Sequence, residues 1–369
     1  MRQTKPNPAG PAPTHPTRRR PLPAVMLLLL PALACLLPGC ASNPESRNAR
    51  ADEPSSVSAL QYGYVRPAAD VEVIGRGARR SYAGRNSDDL WDRVRRGRSM
   101  GIAHHPRVEQ MARRMASNPN YLNDLNRRAR PYLHMIVDEL ERAGLPAELA
   151  LLPEIESRYN PRAVSPKAAS GMWQFMPYTG REMGLAQNGA YDGRNDVLAA
   201  TRGAIRYLKQ LHGEMGGDWA LALASYNCGP GCVRKAMRAH GSRDFWKLSR
   251  LPAETENYVP KLLAVLALVE QPTRYGLNMP KLPNAPELEV VYASRSISLA
   301  EVSRHSGASM QQLRDLNPGL KLGQTPVTGP HRVLVPVGNG DKLRRALTKA
   351  GKLGGPSLAD ARRARSGGS

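Results

Sequence analysis

Residues 145–185 read LPAELALLPEIESRYNPRAVSPKAASGMWQFMPYTGREMGL, and the densest chemistry of the chain lies there. Glu148 and the pair Glu154 and Glu156 fall on a helix interrupted by Pro153. Residues two apart on a helix point to nearly opposite sides, so Glu154 and Glu156 cannot both face one cleft. Glu156 comes just before the helix gives way to Arg158-Tyr159-Asn160-Pro161. A carboxyl at that end meets the negative pole of the helix dipole, which raises its pKa, and apolar Met172 or Trp173 nearby would raise it further. An acid kept partly protonated near neutrality is what glycosidic bond cleavage requires. Taken alone, such a glutamate is more often a solvated helix residue, so its company has to decide.

Outward from this stretch the texture is helical. DDLWDRVRRG places Leu90, Trp91 and Val94 on one face. In NPNYLNDLNRRARPYLHMIVDELERAGLP the apolar residues Leu122, Leu125, Ala129, Leu133, Ile136, Val137 and Leu140 recur at helical spacing, with a kink expected at Pro131. Gly144 ends that helix and Pro146 opens the next. Further helices read at 197–215, 218–226, 230–240 and 255–270, and nothing in 88–275 alternates like a strand for long. The expected class is mostly α: a helical domain over 88–275, with its core at about 145–270. Residues 276–286 read as a Pro-rich linker. ELEVVY and HRVLVPV are strand-like, with the short helices SLAEVSRHSG and SMQQLRDLNPG between them, a βααβ module over 287–337. The Gly-, Arg- and Lys-rich residues 338–369 read as a basic disordered tail.

The 369 residues carry 53 Lys+Arg against 31 Asp+Glu, a formal +22, with 41% hydrophobic and 23% charged residues. That suits about two domains able to bury a core, and it calls for anionic partners. Four cysteines exclude a disulfide-stapled scaffold, and no apolar run reaches the length of a membrane span. Residues 1–39 join Arg18-Arg19-Arg20 to the short apolar run that starts at Leu22, the pattern of an export signal. The run ends in Leu37-Pro38-Gly39-Cys40, which resembles the lipobox of bacterial lipoproteins. That resemblance implies cleavage before Cys40, acylation of its sulfur, and an anchor in outer-membrane lipid facing the periplasm, which Ala41 at the next position tolerates. More than one acyl chain makes such an anchor stable. Residues 40–87 then read as a flexible linker.

With those pieces in place, the chain resembles the family 1 lytic transglycosylases, of the membrane-bound lytic murein transglycosylase D type. Glu156-Ser157 with Asn160-Pro161 matches the family's first block, and Ser165 with Ala169 through Pro177, Thr179 and Gly180 matches its second. Ser225-Tyr226-Asn227 with Gly229 and Gly231 matches the third, with Ser225 in place of the usual alanine. Glu254-Thr255 and Tyr258-Val259 match the fourth. The resemblance implies a lysozyme-like (SLT) helical catalytic domain that cuts the β-1,4 bond between MurNAc and GlcNAc in peptidoglycan. Glu156 would be the single acid and base. It protonates the leaving oxygen, the substrate's acetamido group shields the anomeric carbon, and Glu156 then deprotonates the muramic acid C6 hydroxyl to close a 1,6-anhydro ring. Intramolecular attack spares the enzyme a water and a second carboxylate. Ser165, Gln174, Tyr226, Asn227 and Tyr258 are the expected substrate-binding residues, with Met172 and Trp173 as an apolar groove floor. Asp192 and Asp196, the nearest other acids, are expected to cap or order the turn between YDGRND and the helix that begins near Val197.

Residues 287–337 resemble a divergent LysM module, a type that holds GlcNAc-containing glycans in many proteins. Leu313, Leu316-Asn317-Pro318 and His331 to Pro336 fit that pattern, whereas Ser296 to Leu299 replaces its usual start and Gly323 to Gly329 lengthens its second loop. No cofactor and no metal are expected. Cys228 and Cys232 have no second cysteine pair, so zinc is disfavoured, and the pair is either a local disulfide or two thiols. His104-His105 before Pro106 reads as a polar loop, and Gly75-Arg76-Gly77 lacks the third glycine of a dinucleotide fingerprint, because Arg80 stands there. The basic charge is scattered, so nucleic acid is not an expected partner, and the expected state is a monomer. A muramidase that uses water and a catalytically silent wall-binding lipoprotein are the competing readings. The intact Glu156 speaks against the second.

Overall fold

The computed structural model describes residues 87–355, so the signal, Cys40 and the residues up to 86 lie outside it, as do residues 356–369. Helix α1 (Leu90–Arg96) starts where the Asp89 side chain accepts from Trp91 N. Its buried face is the expected one, with Leu90, Trp91 and Val94 almost wholly enclosed. The long periodic stretch is two helices, α3 (Tyr121–Ala129) and α4 (Leu133–Arg142), because Arg130-Pro131-Tyr132 breaks it. Between α1 and α3 lies α2 (Pro106–Ala116), a helix the sequence reading did not pick out, and His104 and His105 before it are outside any helix as expected. His105 caps it by accepting from Arg107 N, and Pro106 occupies the first turn, where its missing N–H costs nothing.

A 3-10 helix (Ala147–Leu151) leads into α5 (Leu152–Ser157), followed by α6 (Pro177–Glu182), α7 (Val197–Glu214), α8 (Trp219–Cys228), α9 (Pro230–His240) and α10 (Ala253–Glu270). Trp219 through Ser225 of α8 are all buried, so this helix is apolar all round and runs through the core rather than over it. Helix α10 packs on α2 and α8 with Pro260 in its interior. A proline there leaves the carbonyl four residues earlier without its helical donor. That carbonyl, on Glu256, accepts from Arg107 Nη2 at 2.9 Å, so α2 repairs α10.

The C-terminal module is β1 (Leu288–Tyr292), α11 (Leu299–Ser306), α12 (Met310–Leu316) and β2 (Arg332–Pro336), the βααβ order read from the sequence. The strands are antiparallel, pairing Val291 with Val333 and Val290 with Leu334. Side chains alternate across a sheet. Val291, Val333 and Val335 accordingly fill the module's own core, while Leu288, Val290 and Leu334 pack against the core of the helical domain. The small sheet is thus shared by two cores.

Two expectations are corrected here. Residues 276–286 are not a free linker: Leu277 and Leu282 are buried, Leu90 N donates to Leu282 O, and the Asn284 side chain meets Arg93 Nη1 and Ser87 O. Nor is the tail disordered from 338. Helix α13 (Gly340–Lys349) buries Leu343 and Leu347 in the module, Glu289 accepts from Gly338 N and Gly340 N at its start, and Leu353 pairs with Ala293 beyond its end. Among the described residues no helix is long and apolar enough to cross a membrane.

Candidate active site

Helix α5 ends abruptly because Arg158 (φ 55°) and Tyr159 (φ 58°) both adopt the left-handed conformation. Two contacts hold that turn: Tyr159 OH donates to Ala150 O at 2.6 Å, and Ser157 Oγ donates to Met172 O at 2.8 Å. The turn leaves Glu156 on one side and Glu154 on the other. Glu154 is 5% exposed and ion-paired with Arg128 at 2.7 Å, inside the protein. Glu156 lines a groove of about 530 Å³ together with Ser165, Gln174, Tyr226, Asn227 and Tyr258. The helical turn separates the two carboxylates as their spacing predicts.

Glu156 is largely removed from solvent, with Tyr258, Lys261 and Glu254 beside it. Its pKa is raised to about 7, first by loss of hydration; the Tyr258 hydroxyl and then the Lys261 ammonium pull it back down, and the negative charge of Glu254 pushes it up. The sequence-based direction is right, but burial rather than the helix end is the main cause. Tyr258 OH donates to Glu156 Oε1 from a side chain 6% exposed, and its own pKa lies well above the phenolic range, chiefly because it is buried. It therefore stays a donor. The Tyr226 hydroxyl donates to Trp173 O at 2.8 Å. Asn227 Oδ1 accepts from Thr255 Oγ1 at 2.6 Å, and its Nδ2 reaches Glu254 Oε1 at 3.4 Å.

The opposite wall is the segment 161–176. Gln174 sits at φ 49°, and its Nε2 donates to Gly171 O (2.8 Å) and Ala163 O (3.2 Å). Both amide hydrogens are spent on backbone, which leaves the amide oxygen as its acceptor for a ligand. Ser165 Oγ accepts from Ala169 N at 3.1 Å and keeps its own hydrogen to donate. Gly171 is required: a Cβ there would lie 1.8 Å from Arg194 O, and its φ is +86°.

Met172 and Trp173 do not form the floor. They are 1% and 0% exposed, and Trp173 Nε1 donates to Thr201 Oγ1 within the core. The apolar surface inside the groove belongs instead to Met176, 43% exposed, and to Ile155 and Ala169. Asp192 binds Arg194, and Asp196 accepts from Ala199 N as the cap of α7 while pairing with Arg332 at 2.8 Å. Neither lines the groove. The second carboxylate that does line it is Glu254, which the sequence reading overlooked although it opens the fourth block. Cys228 and Cys232 are joined as a disulfide, Cα to Cα 5.9 Å, beside Asn227. Among the described residues no cluster of His, Cys, Asp or Glu could hold a metal.

Glu156 with its raised pKa, a buried tyrosine donating to it, and amide and hydroxyl groups around it make a site that can pass a proton to a bound ligand and take one back. Residues 135–249 match the family described as Transglycosylase SLT domain, and residues 287–352 match the one described as Lytic transglycosylase MltD, LysM-like domain. The chain is 37% identical over 263 residues to membrane-bound lytic murein transglycosylase D of Escherichia coli strain K12, covering 70% of this chain and 58% of that protein. It thus spans less than two thirds of that relative's length. A protein of Alteromonas sp. strain M-1 named for tributyltin chloride resistance is 46% identical over 110 residues, 30% of this chain and 53% of its own. The 70 kDa soluble lytic transglycosylase of Escherichia coli aligns over 50% of this chain and 33% of its own, at 21% identity and a TM-score of 0.35. The chain therefore carries an SLT domain followed by an MltD-type LysM-like domain, the pair that the four blocks and the βααβ pattern led us to expect.

Proposed function

We propose that this chain is a lytic transglycosylase of the cell envelope that cuts the MurNAc–GlcNAc β-1,4 bond of peptidoglycan and leaves 1,6-anhydromuramic ends. The observation that carries the reading is Glu156, with its pKa raised to about 7 inside the groove and Tyr258 donating to it. At neutral pH such a group is protonated in about half of the molecules, so it can give a proton to the leaving oxygen and then recover one from the C6 hydroxyl. Ser165, Gln174 and Asn227 offer the sugar a donor hydroxyl and amide groups, and Tyr226 and Met176 offer it apolar surface. Anchoring through acylated Cys40 in outer-membrane lipid, with a monomeric enzyme facing the periplasm, belongs to the same proposal. The name of the membrane-bound relative supports an envelope location for it.

Glu254 favours one competing reading. Two carboxylates flanking a bond are the equipment of a hydrolase, in which the second activates water. Digestion of purified sacculi followed by mass spectrometry separates the two. Anhydro products, lighter by one water, support the transglycosylase; reducing ends as the main product would sink it in favour of the muramidase. Glu254→Gln then tests the second acid, because a base for water would cost orders of magnitude in rate, whereas a neighbouring charge shifts only the pH dependence.

A further inference from the structure

The loop 188–196 is gripped from both sides. The LysM-like module holds it through Gly319 O, which accepts from Asp192 N (3.0 Å), through Lys321, whose N donates to Ala190 O (3.0 Å) and whose Nζ donates to Asn188 O (2.8 Å), and through Arg332 on Asp196 (2.8 Å). Tyr191 is 2% exposed and belongs to the module's core rather than to the helical domain's. On its other side the same loop holds the groove wall. Arg194 Nη1 donates to Ala168 O (2.9 Å) and Phe175 O (3.3 Å), Asn195 Nδ2 donates to Pro161 O (2.8 Å), and the Ser170 hydroxyl donates to Asn195 Oδ1 (3.2 Å). Asp192 orients Arg194 through both carboxylate oxygens.

We infer that the LysM-like module is a support of the catalytic groove, and that Arg332 and Gly319 are positioning residues for Ser165 and Gln174. The wall needs such support. Ala168 (φ 64°) and Gln174 (φ 49°) are non-glycine residues in the left-handed region, and such conformations persist only where neighbours over-determine them. Those neighbours are Arg194 and Asn195, and the module sets where the loop bearing them lies. Gly319 admits no side chain, since a Cβ would sit 2.9 Å from Asp192 O and 3.0 Å from Asp196 N, backbone atoms that cannot swing aside. A displacement of the wall by about 1 Å is enough to cost up to ~100-fold in rate.

The inference rests on the groove being catalytic as proposed above, so its test carries a readout independent of turnover. In the full chain, Arg332→Met, Arg332→Lys and Gly319→Ala are compared by kinetics on soluble peptidoglycan oligomers, by amide hydrogen exchange and by thermal melting. The expected result for Arg332→Met and Gly319→Ala is exchange about tenfold faster at the Ser165, Ala169, Ser170 and Phe175 amides, with that of α8 unchanged. Their kcat/KM falls by about tenfold, chiefly through KM, and Arg332→Lys restores most of both. Unchanged exchange in the wall overturns the inference, and so does faster exchange with unaltered kcat/KM per folded molecule. If the wild-type chain shows no turnover, the proposed function has failed, and exchange alone decides whether the module holds the wall.

Discussion

Tyr258→Phe gives the most direct reading of how Glu156 is tuned. The hydroxyl donates to Glu156 Oε1 and lowers a pKa that burial has raised to about 7. Removing it disfavours the charged form, so the pKa must rise. A hydrogen bond to a charged group contributes roughly 1–2 kcal/mol more to the ionised than to the protonated state, which at 1.36 kcal/mol per unit is about one pH unit. Transfer to the leaving oxygen needs Glu156 protonated, so the alkaline limb of kcat/KM should move up by about that amount. Lys261→Met should move it the same way and Glu254→Gln the opposite way, because Lys261 lowers the pKa and Glu254 raises it. Both side chains are exposed, so their shifts should be a few tenths of a unit and should fade at high salt, whereas the Tyr258 shift should not. The assay is the pH profile of muropeptide release at low and high ionic strength. A limb that stays in place or moves down in Tyr258→Phe refutes the assignment of that limb to Glu156.

Glu156→Gln should lower turnover by ~10²–10⁴-fold while sacculus binding, followed by pelleting, remains intact. Because the folded-state pKa lies above the ordinary 4.5, the wild type loses stability as pH rises from that value through about 7, so the variant should melt higher than wild type by about 2–5 °C at pH 8 and equally at pH 4. Glu154→Gln should leave the rate within about threefold of wild type yet lower stability by about 1–2 kcal/mol, because it discharges the partner of Arg128 within the protein; calorimetry with parallel rate measurements checks both. Ser225→Ala should be neutral or stabilising by up to about 1 kcal/mol, read by denaturant midpoint, because the Ser225 hydroxyl is buried without a hydrogen-bond partner. Reducing Cys228–Cys232 should cost at most about 2 kcal/mol in the same measurement, since it opens so short a loop.

What the sequence disclosed and what it hid divide along one physical line. Features fixed by local spacing were legible: the opposite facing of Glu154 and Glu156, the break at Pro131, the cap at Asp196 and the strand alternation of ELEVVY all follow from the geometry of a single element. Features fixed by what packs where were not. Met172 and Trp173 have the chemistry of a sugar platform, yet they lie under the wall, because the turn at Gly171 directs them into the core. Glu254 falls at the start of a helix whose facing depends on α2 and α8, so its block placed it in the family pattern without placing it in the groove. In α13 the lysines and arginines masked Leu343 and Leu347, four residues apart, and only the closed module shows that these two complete a core. The linker at 276–286 misled in the same way, since proline-rich composition describes a chain without regular structure and says nothing of whether Leu277 and Leu282 find a surface. The same reasoning explains why the module's grip on the loop 188–196 was invisible. Asp192 lies more than a hundred residues from Gly319 and Arg332, and the three matter to the groove only because a strand, a turn and a loop meet there. Residues of that kind act through position, so exchange measurements can find them where motif reading cannot.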